Sequence, residues 1–229
     1  MIKFRILAIS TLALLIGSTF LDGQGTVARG AASSMFRAVA SAETTPDAQG
    51  FIPRWLILEP ISIGDRQAEN ASKAAVKTEY FPNQLSVLPR DGDKVTVGSN
   101  ELIWHAVETV NYNVNLYYFA TAHKKSSAGA LFWAVTVVNC PQDMPNVRLA
   151  IGSNASSIWW VNGQEVAGIY GDIQTVIDDG VSAPLTLKKG ANVIRSAIIN
   201  GSGASDFCAR FLDKDDKPLK NFTVTLQQP

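Results

Sequence analysis

Apolar positions in this chain fall in short runs, roughly four to eight residues long, each closed by Gly, Pro, Asn, Asp or Lys, the signature of strands separated by turns. The clearest case is Ser157-Ile158-Trp159-Trp160-Val161, which ends in Asn162-Gly163 before the return run Gln164-Glu165-Val166. Asn-Gly between two such runs predicts a hairpin, because a type I′ turn needs positive φ at both central residues. Ala183 to Leu187 alternates toward the turn Lys188-Lys189-Gly190-Ala191-Asn192, which feeds the most regular strand of the chain, Val193 to Ile199.

Similar runs flank this centre. Phe51 to Pro60 reads as a first strand closed by proline, and Val95-Thr96-Val97, Leu102 to Val107, and Asn113 to Ala122 continue the series. Ser72 to Thr78 suits a short helical turn. Ala130 to Cys140 shows no alternation, which predicts a strand covered on both faces. Asn146 to Gly152 alternates again, and Asp206 to Phe211, a turn over Asp213 to Lys217, and Phe222 to Leu226 close the chain. No sustained helical period or internal repeat interrupts the pattern. Many short strands with polar turns predict an all-β fold, an antiparallel β-sandwich or jelly roll, whose ligands are met by loops or by one sheet face.

The N-terminus breaks this pattern. Lys3 and Arg5 precede an apolar run from Ile6 to Ile16, the charged and hydrophobic regions of a secretory signal, too short for a membrane span of roughly 20 residues. Small residues near Ala28 to Ala32 and at Ala38 to Ala42 offer two cleavage regions, and no Cys follows the apolar run to carry a lipid. The expectation is a signal peptide and leader over 1–42, a flexible lead-in from Ser41 to Gly50, and one sandwich domain over 51–229. Such a chain is secreted or periplasmic, with no membrane partner after cleavage.

Composition narrows the partners. Of 229 residues, 46% are hydrophobic and 17% charged, a globular balance. Twenty Lys and Arg against twenty Asp and Glu leave no net charge and no basic stripe for nucleic acid, so a neutral partner fits better. Cys140 and Cys208 are the two cysteines, and an exported chain could join them in one disulfide or bury both as thiols. Neither has a CxxC partner or a His at zinc spacing, so no metal site is expected.

At this point the motifs resemble a family. Trp159-Trp160-Val161-Asn162-Gly163, Leu187-Lys188-Lys189-Gly190-Ala191-Asn192-Val193-Ile194 and Asp213 to Pro218, in that order, resemble the galactose-binding-like jelly rolls of carbohydrate-binding modules. Over Phe51 to Thr225 the chain is similar to the β-sandwich of bacterial proteins labelled acetyl xylan esterases. That likeness is carried by Trp55 to Pro60, Pro89-Arg90-Asp91-Gly92, Trp104-His105-Ala106, Val137 to Pro141 and Ser205 to Cys208. It implies a polysaccharide or oligosaccharide of the xylan type as partner, and jelly rolls of this kind often hold a structural Ca²⁺. Asp178-Asp179-Gly180 and Asp213 to Asp216 are the candidate calcium loops, although neither matches an EF-hand.

Three functions follow from these residues. A sugar-binding site needs an exposed aromatic ring and fixed polar partners. Strand alternation puts Trp159 and Val161 on one face and Ile158, Trp160 and Asn162 on the other, and Trp160 is favoured as the outward ring. Trp104 and Tyr170 are further ring candidates, whereas Trp133 reads as core. Asn162, Arg90 and Asp206 are the first polar candidates, with Asp91, Asp172, Asp178, Asp179, Asn200 and Arg210 behind them. An acetyl esterase would need a serine activated by a base, but the Gly-x-Ser-x-Gly elbow is missing. Its nucleophile would be Ser153 or Ser205, with His105 and Asp206, and His123 has less claim. A protein-interaction sandwich is the third reading. Non-catalytic carbohydrate binding is the leading expectation.

Overall fold

The computed structural model describes residues 35–66, 68–171 and 174–227. Residues 1–34 of the expected signal peptide and leader over 1–42, and Asp172, lie outside the described residues. The first half contains strands β1 (Phe36–Arg37), β2 (Arg54–Leu58), β3 (Ile61–Ser62), β4 (Lys94–Val97), β5 (Asn100–Thr109) and β6 (Val114–Asn115), with helices α1 (Glu69–Lys77) and α2 (Leu116–Ala122). The second half contains β7 (Ala130–Cys140), β8 (Met144–Ser153), β9 (Ser156–Val161), β10 (Gln164–Ile169), β11 (Gly180–Val181), β12 (Leu185–Leu187), β13 (Gly190–Asn200), β14 (Asp206–Leu212) and β15 (Thr223–Thr225).

The strands make an antiparallel β-sandwich. The larger sheet runs β1-β5-β2-β7-β13-β9-β10, and the smaller runs β11-β8-β14-β6 with β12 on β8. Asn162 and Gly163 both have positive φ, 50° and 81°, so the β9–β10 turn has the backbone that its sequence predicts. The run ending at Leu187 crosses to the smaller sheet as β12, where Leu185 pairs with Val147. Leu116 to Ala122 form helix α2, not a strand, because the Asn115 side chain caps the first turn by accepting from the Tyr118 N–H.

The long pair β7–β13 lies at the centre. Each strand has eleven residues and every one finds a partner in the other. Even-numbered residues of β7, such as Phe132 and Val138, face the smaller sheet, as do Trp55 and Trp159, and share one core with Phe207 of that sheet. Those three rings pack edge to face, with centroids 5.2–5.9 Å apart. Odd-numbered residues Leu131, Trp133 and Val135 face the other way, into a second core under α1 and the loop that follows it. The unalternating sequence of β7 therefore reflects cover on both faces, as predicted.

Arg195 pins that outer cover. It is buried on β13, and its guanidinium donates to the Gln84 and Val87 carbonyls of the covering loop. Desolvation pushes it down to about 10.

The end of the expected leader, from Phe36, and the expected flexible lead-in from Ser41 to Gly50 are both seated on the sandwich. Phe36 and Arg37 pair with Thr109 and Glu108, and Thr44 exchanges backbone hydrogen bonds with Val224. Beneath this strap, the buried Arg54 donates to Glu108 and to the Ser41 carbonyl, the latter at 2.9 Å. Glu108 also accepts from the more exposed Arg37 at 2.7 Å.

The disulfide does not form. Cys140 on β7 and Cys208 on β14 sit in different sheets, both free and buried. Burial pushes their thiols up to about 11 and about 12. Among the described residues no helix is long and apolar enough to cross a membrane.

Two measurements check this packing. Glu108→Gln leaves Arg54 buried without its counter-charge and is expected to cost about 3–5 kcal/mol in denaturant unfolding. Both thiols are expected to resist alkylation in the native protein at pH 8 and to react in denaturant, since neither is a thiolate there. Rapid native labelling would place them at the surface or in the ionised form.

Candidate functional site

The larger sheet forks along one edge of β7. Leu56 of β2 pairs with Val135, but two residues further Thr225 of β15 pairs with Val137, so β7 changes neighbour there. A groove of about 550 Å³ opens at this fork on the outer face. Ala106, Val39 and Leu226 supply its apolar surface, and Arg90, Asp91, Glu43, Asn139, Thr225 and Gln227 supply its polar groups. The strap forms one wall through Ser41 and Ala42. Asp91 is held by accepting from the Ala106 N–H at 2.7 Å, which fixes the turn that carries Arg90.

Asn139 has an unmet demand at this groove. Its amide donates to Thr225 Oγ1 at 3.2 Å, while its Oδ1 is buried and has no donor among the described residues. A buried acceptor without a donor costs about 1–3 kcal/mol, so this atom favours a donor arriving from the groove.

The sequence candidates separate on this frame. Arg90 lies in the groove. Trp160 does not form an outward shelf: it is 9% exposed, buried in the outer core beside Trp133 with ring centroids 5.8 Å apart. Alternation does put Trp159 and Trp160 on opposite faces, but both faces are covered. Trp104 is fully buried in the same outer core. Tyr170 is half-buried with Lys73 Nζ over its ring at 5.3 Å. Asn162 is spent on the fold: its Nδ2 donates to Asn192 and its Oδ1 accepts from the Val193 N–H, both at 2.9 Å. Asp206 accepts from Asn113 Nδ2 at 2.6 Å and from Thr175 Oγ1, away from the groove residues.

The esterase residues do not assemble either. Ser153 and Ser205 are fully buried, and neither hydroxyl has a hydrogen-bond partner among the described residues. His105 instead meets Glu59 Oε1 through Nε2 at 3.4 Å and stacks on His123, with ring centroids 3.7 Å apart. His123, at the C-terminal end of α2, is held below its usual imidazole range by burial and then by His105 beside it. Lys125 Nζ lies 3.4 Å from the other Glu59 oxygen. Glu59 follows the β2 strand within the Trp55 to Pro60 stretch, which marked a likeness but gave this carboxylate no role. The proposed calcium loops hold their carboxylates in other bonds: Asp178 with Arg210, Asp216 with Arg148, and Asp213 with the backbone N–H groups of Asp215 and Lys217.

No protein-family model matches the chain, and no curated protein matches it. Among solved structures, it is similar to a PA14 sugar-binding domain from an RTX adhesin, at 11% identity across 75% of this chain and 96% of that one, with a TM-score of 0.44. It is also similar to the PA14 domain of the antifreeze protein MpAFP, at 12% identity across 83% and 99% of the two chains, with a TM-score of 0.45. A β-glucosidase from Kluyveromyces marxianus solved with glucose is matched at 17% identity across 80% of this chain and 18% of the enzyme, with a TM-score of 0.36. Likeness this distant assigns neither a family nor a ligand.

Removing the Trp160 ring tests its role. Trp160→Ala is expected to cost about 3–5 kcal/mol of stability, measured by chemical denaturation, as for a large side chain deleted from a core. A surface shelf would lose less than about 1 kcal/mol.

Proposed function

We propose that this chain is a non-catalytic module that binds neutral saccharide in the groove at the sheet fork. The observation that carries this reading is the groove itself, whose volume of about 550 Å³ falls in the range of small-ligand sites. Its polar groups are of both kinds. Arg90 donates only, Asp91 and Glu43 accept, and Asn139 and Gln227 do both. Sugar hydroxyls also donate and accept, so such a set can pair neighbouring hydroxyls, while Ala106, Val39 and Leu226 meet the C–H faces of the ring. The orphaned Asn139 oxygen supplies an acceptor that a hydroxyl would satisfy. A xylan-type polymer is the finer proposal and rests on the motif resemblance.

Non-catalytic binding is favoured because the candidate nucleophiles are sealed from solvent and from both imidazoles. Export rests on the N-terminal pattern. If the leader is cleaved, the region near Ala28 to Ala32 is preferred, because a cut at Ala38 to Ala42 would remove β1 and part of the groove wall.

Calorimetric titration with xylo-oligosaccharides tests the reading. Arg90→Ala and Asn139→Ala are each expected to weaken binding at least tenfold, about 1.4 kcal/mol, without lowering the melting temperature by more than a few degrees. Undiminished binding in both variants would move the ligand off the groove. Turnover of an acetylated model ester that Ser205→Ala or Ser153→Ala abolishes would replace binding by hydrolysis.

A further inference from the structure

Glu59, His105 and His123 converge from three elements of the fold. Alternation on β5 turns His105 to the inner face, beside its lateral partner Ile57 of the inner core. Glu59 follows β2 two residues after Ile57, and its side chain is 8% exposed. His123 caps the end of α2, so the helix lays it against the sheet edge. One ligand atom from each side chain lies within 4.8 Å of the other two. Phe119 closes one side of the pair, with its ring centroid 5.8 Å from His105 and 4.8 Å from His123.

We propose that these three side chains form a site for a divalent transition metal, zinc by preference. Two imidazole nitrogens and one carboxylate oxygen suit Zn²⁺ and leave a fourth position for water or another ligand. Tetrahedral zinc with bonds of about 2.0–2.1 Å places its ligand atoms roughly 3.3–3.5 Å apart. Glu59 Oε1 and His105 Nε2 already stand 3.4 Å apart, so it is the approach of His123 that must shorten, by up to about 1.4 Å from the 4.8 Å limit. The stack explains which residue moves. Imidazoles lying 24° from parallel aim their lone pairs side by side, not at a shared point. His105 is fixed within a strand paired on both edges, whereas His123 terminates a helix and can rotate out of the stack. Glu59 offers Oε1 to the metal while Oε2 keeps Lys125, the outer partner that steadies a ligating carboxylate.

The test uses the full chain without an affinity tag, stripped with a chelator and titrated calorimetrically with Zn²⁺. One ion per chain is expected to bind and raise the melting temperature, and Co²⁺ in its place is expected to give a visible absorption band of a nitrogen and oxygen site. His123→Ala and Glu59→Gln are each expected to weaken Zn²⁺ binding at least tenfold and to abolish the thermal shift. Near-ultraviolet circular dichroism in chelator confirms that each variant is folded, and His123→Gln, which preserves bulk, replaces any that is not. No saturation at one ion per chain up to about 100 µM Zn²⁺ would overturn the site. Equal binding in the parent and the folded variants would overturn it as well.

Discussion

The β7–β13 ladder cannot be left uncovered on either face. Along β7, Phe132 and Val138 look one way and Leu131, Trp133 and Val135 the other, all with essentially no exposure. Each such side chain is worth about 1.5–3 kcal/mol when buried, so leaving one face in water would forfeit on the order of 10 kcal/mol, the size of a domain's whole stability. Two covers are therefore required. The smaller sheet makes one, and α1 with its following loop makes the other. A loop cover has no strand ladder to hold it, and Arg195 supplies the anchor. Its buried guanidinium meets backbone carbonyls of that loop, which are satisfied in turn.

This double cover sets what was legible in the sequence. The unbroken run from Ala130 to Cys140 announced it, and the Asn162-Gly163 turn announced the hairpin beside it. Which tryptophan would be exposed was not legible. Period two assigns Trp159 and Trp160 to opposite faces, but only a segment some 80 residues earlier, ending in Phe81 and Gln84, decides that the second face is also closed. Helix α2 was hidden for a related reason. Tyr117, Tyr118 and Phe119 favour strands by propensity, yet one capping Asn115 and burial of Leu116, Phe119 and Ala120 prevail over it. Cysteine pairing depends on which sheet each strand joins, and short runs do not declare that.

The groove was half legible. Arg90 could be named because a charged turn stands out from strands. Asn139 could have been: in Val137-Val138-Asn139-Cys140 an amide interrupts an otherwise apolar stretch, and a polar residue there needs partners that the strand alone does not provide. The fork was beyond reach, since it arises when β2 and β15, far apart in the chain, share one edge of β7. The meeting of Glu59, His105 and His123 is of the same kind. The histidines are eighteen positions apart, a spacing with no zinc motif in it.

One strand serves both places. His105 and Ala106 are consecutive on β5, so the pleat turns the imidazole inward toward Glu59 and the methyl outward to the groove. Displacing His105 would displace the groove's apolar wall and the Ala106 N–H that holds Asp91. Pairing resists that movement: β5 is bonded to β2 over five residue pairs, to β4 over four and to β1 over two. A hinge in β5 would break several of these bonds, whereas turning His123 at a helix end breaks none of the ladder. The cheaper adjustment therefore lies on α2, and the strand between the two sites can remain a fixed wall for each.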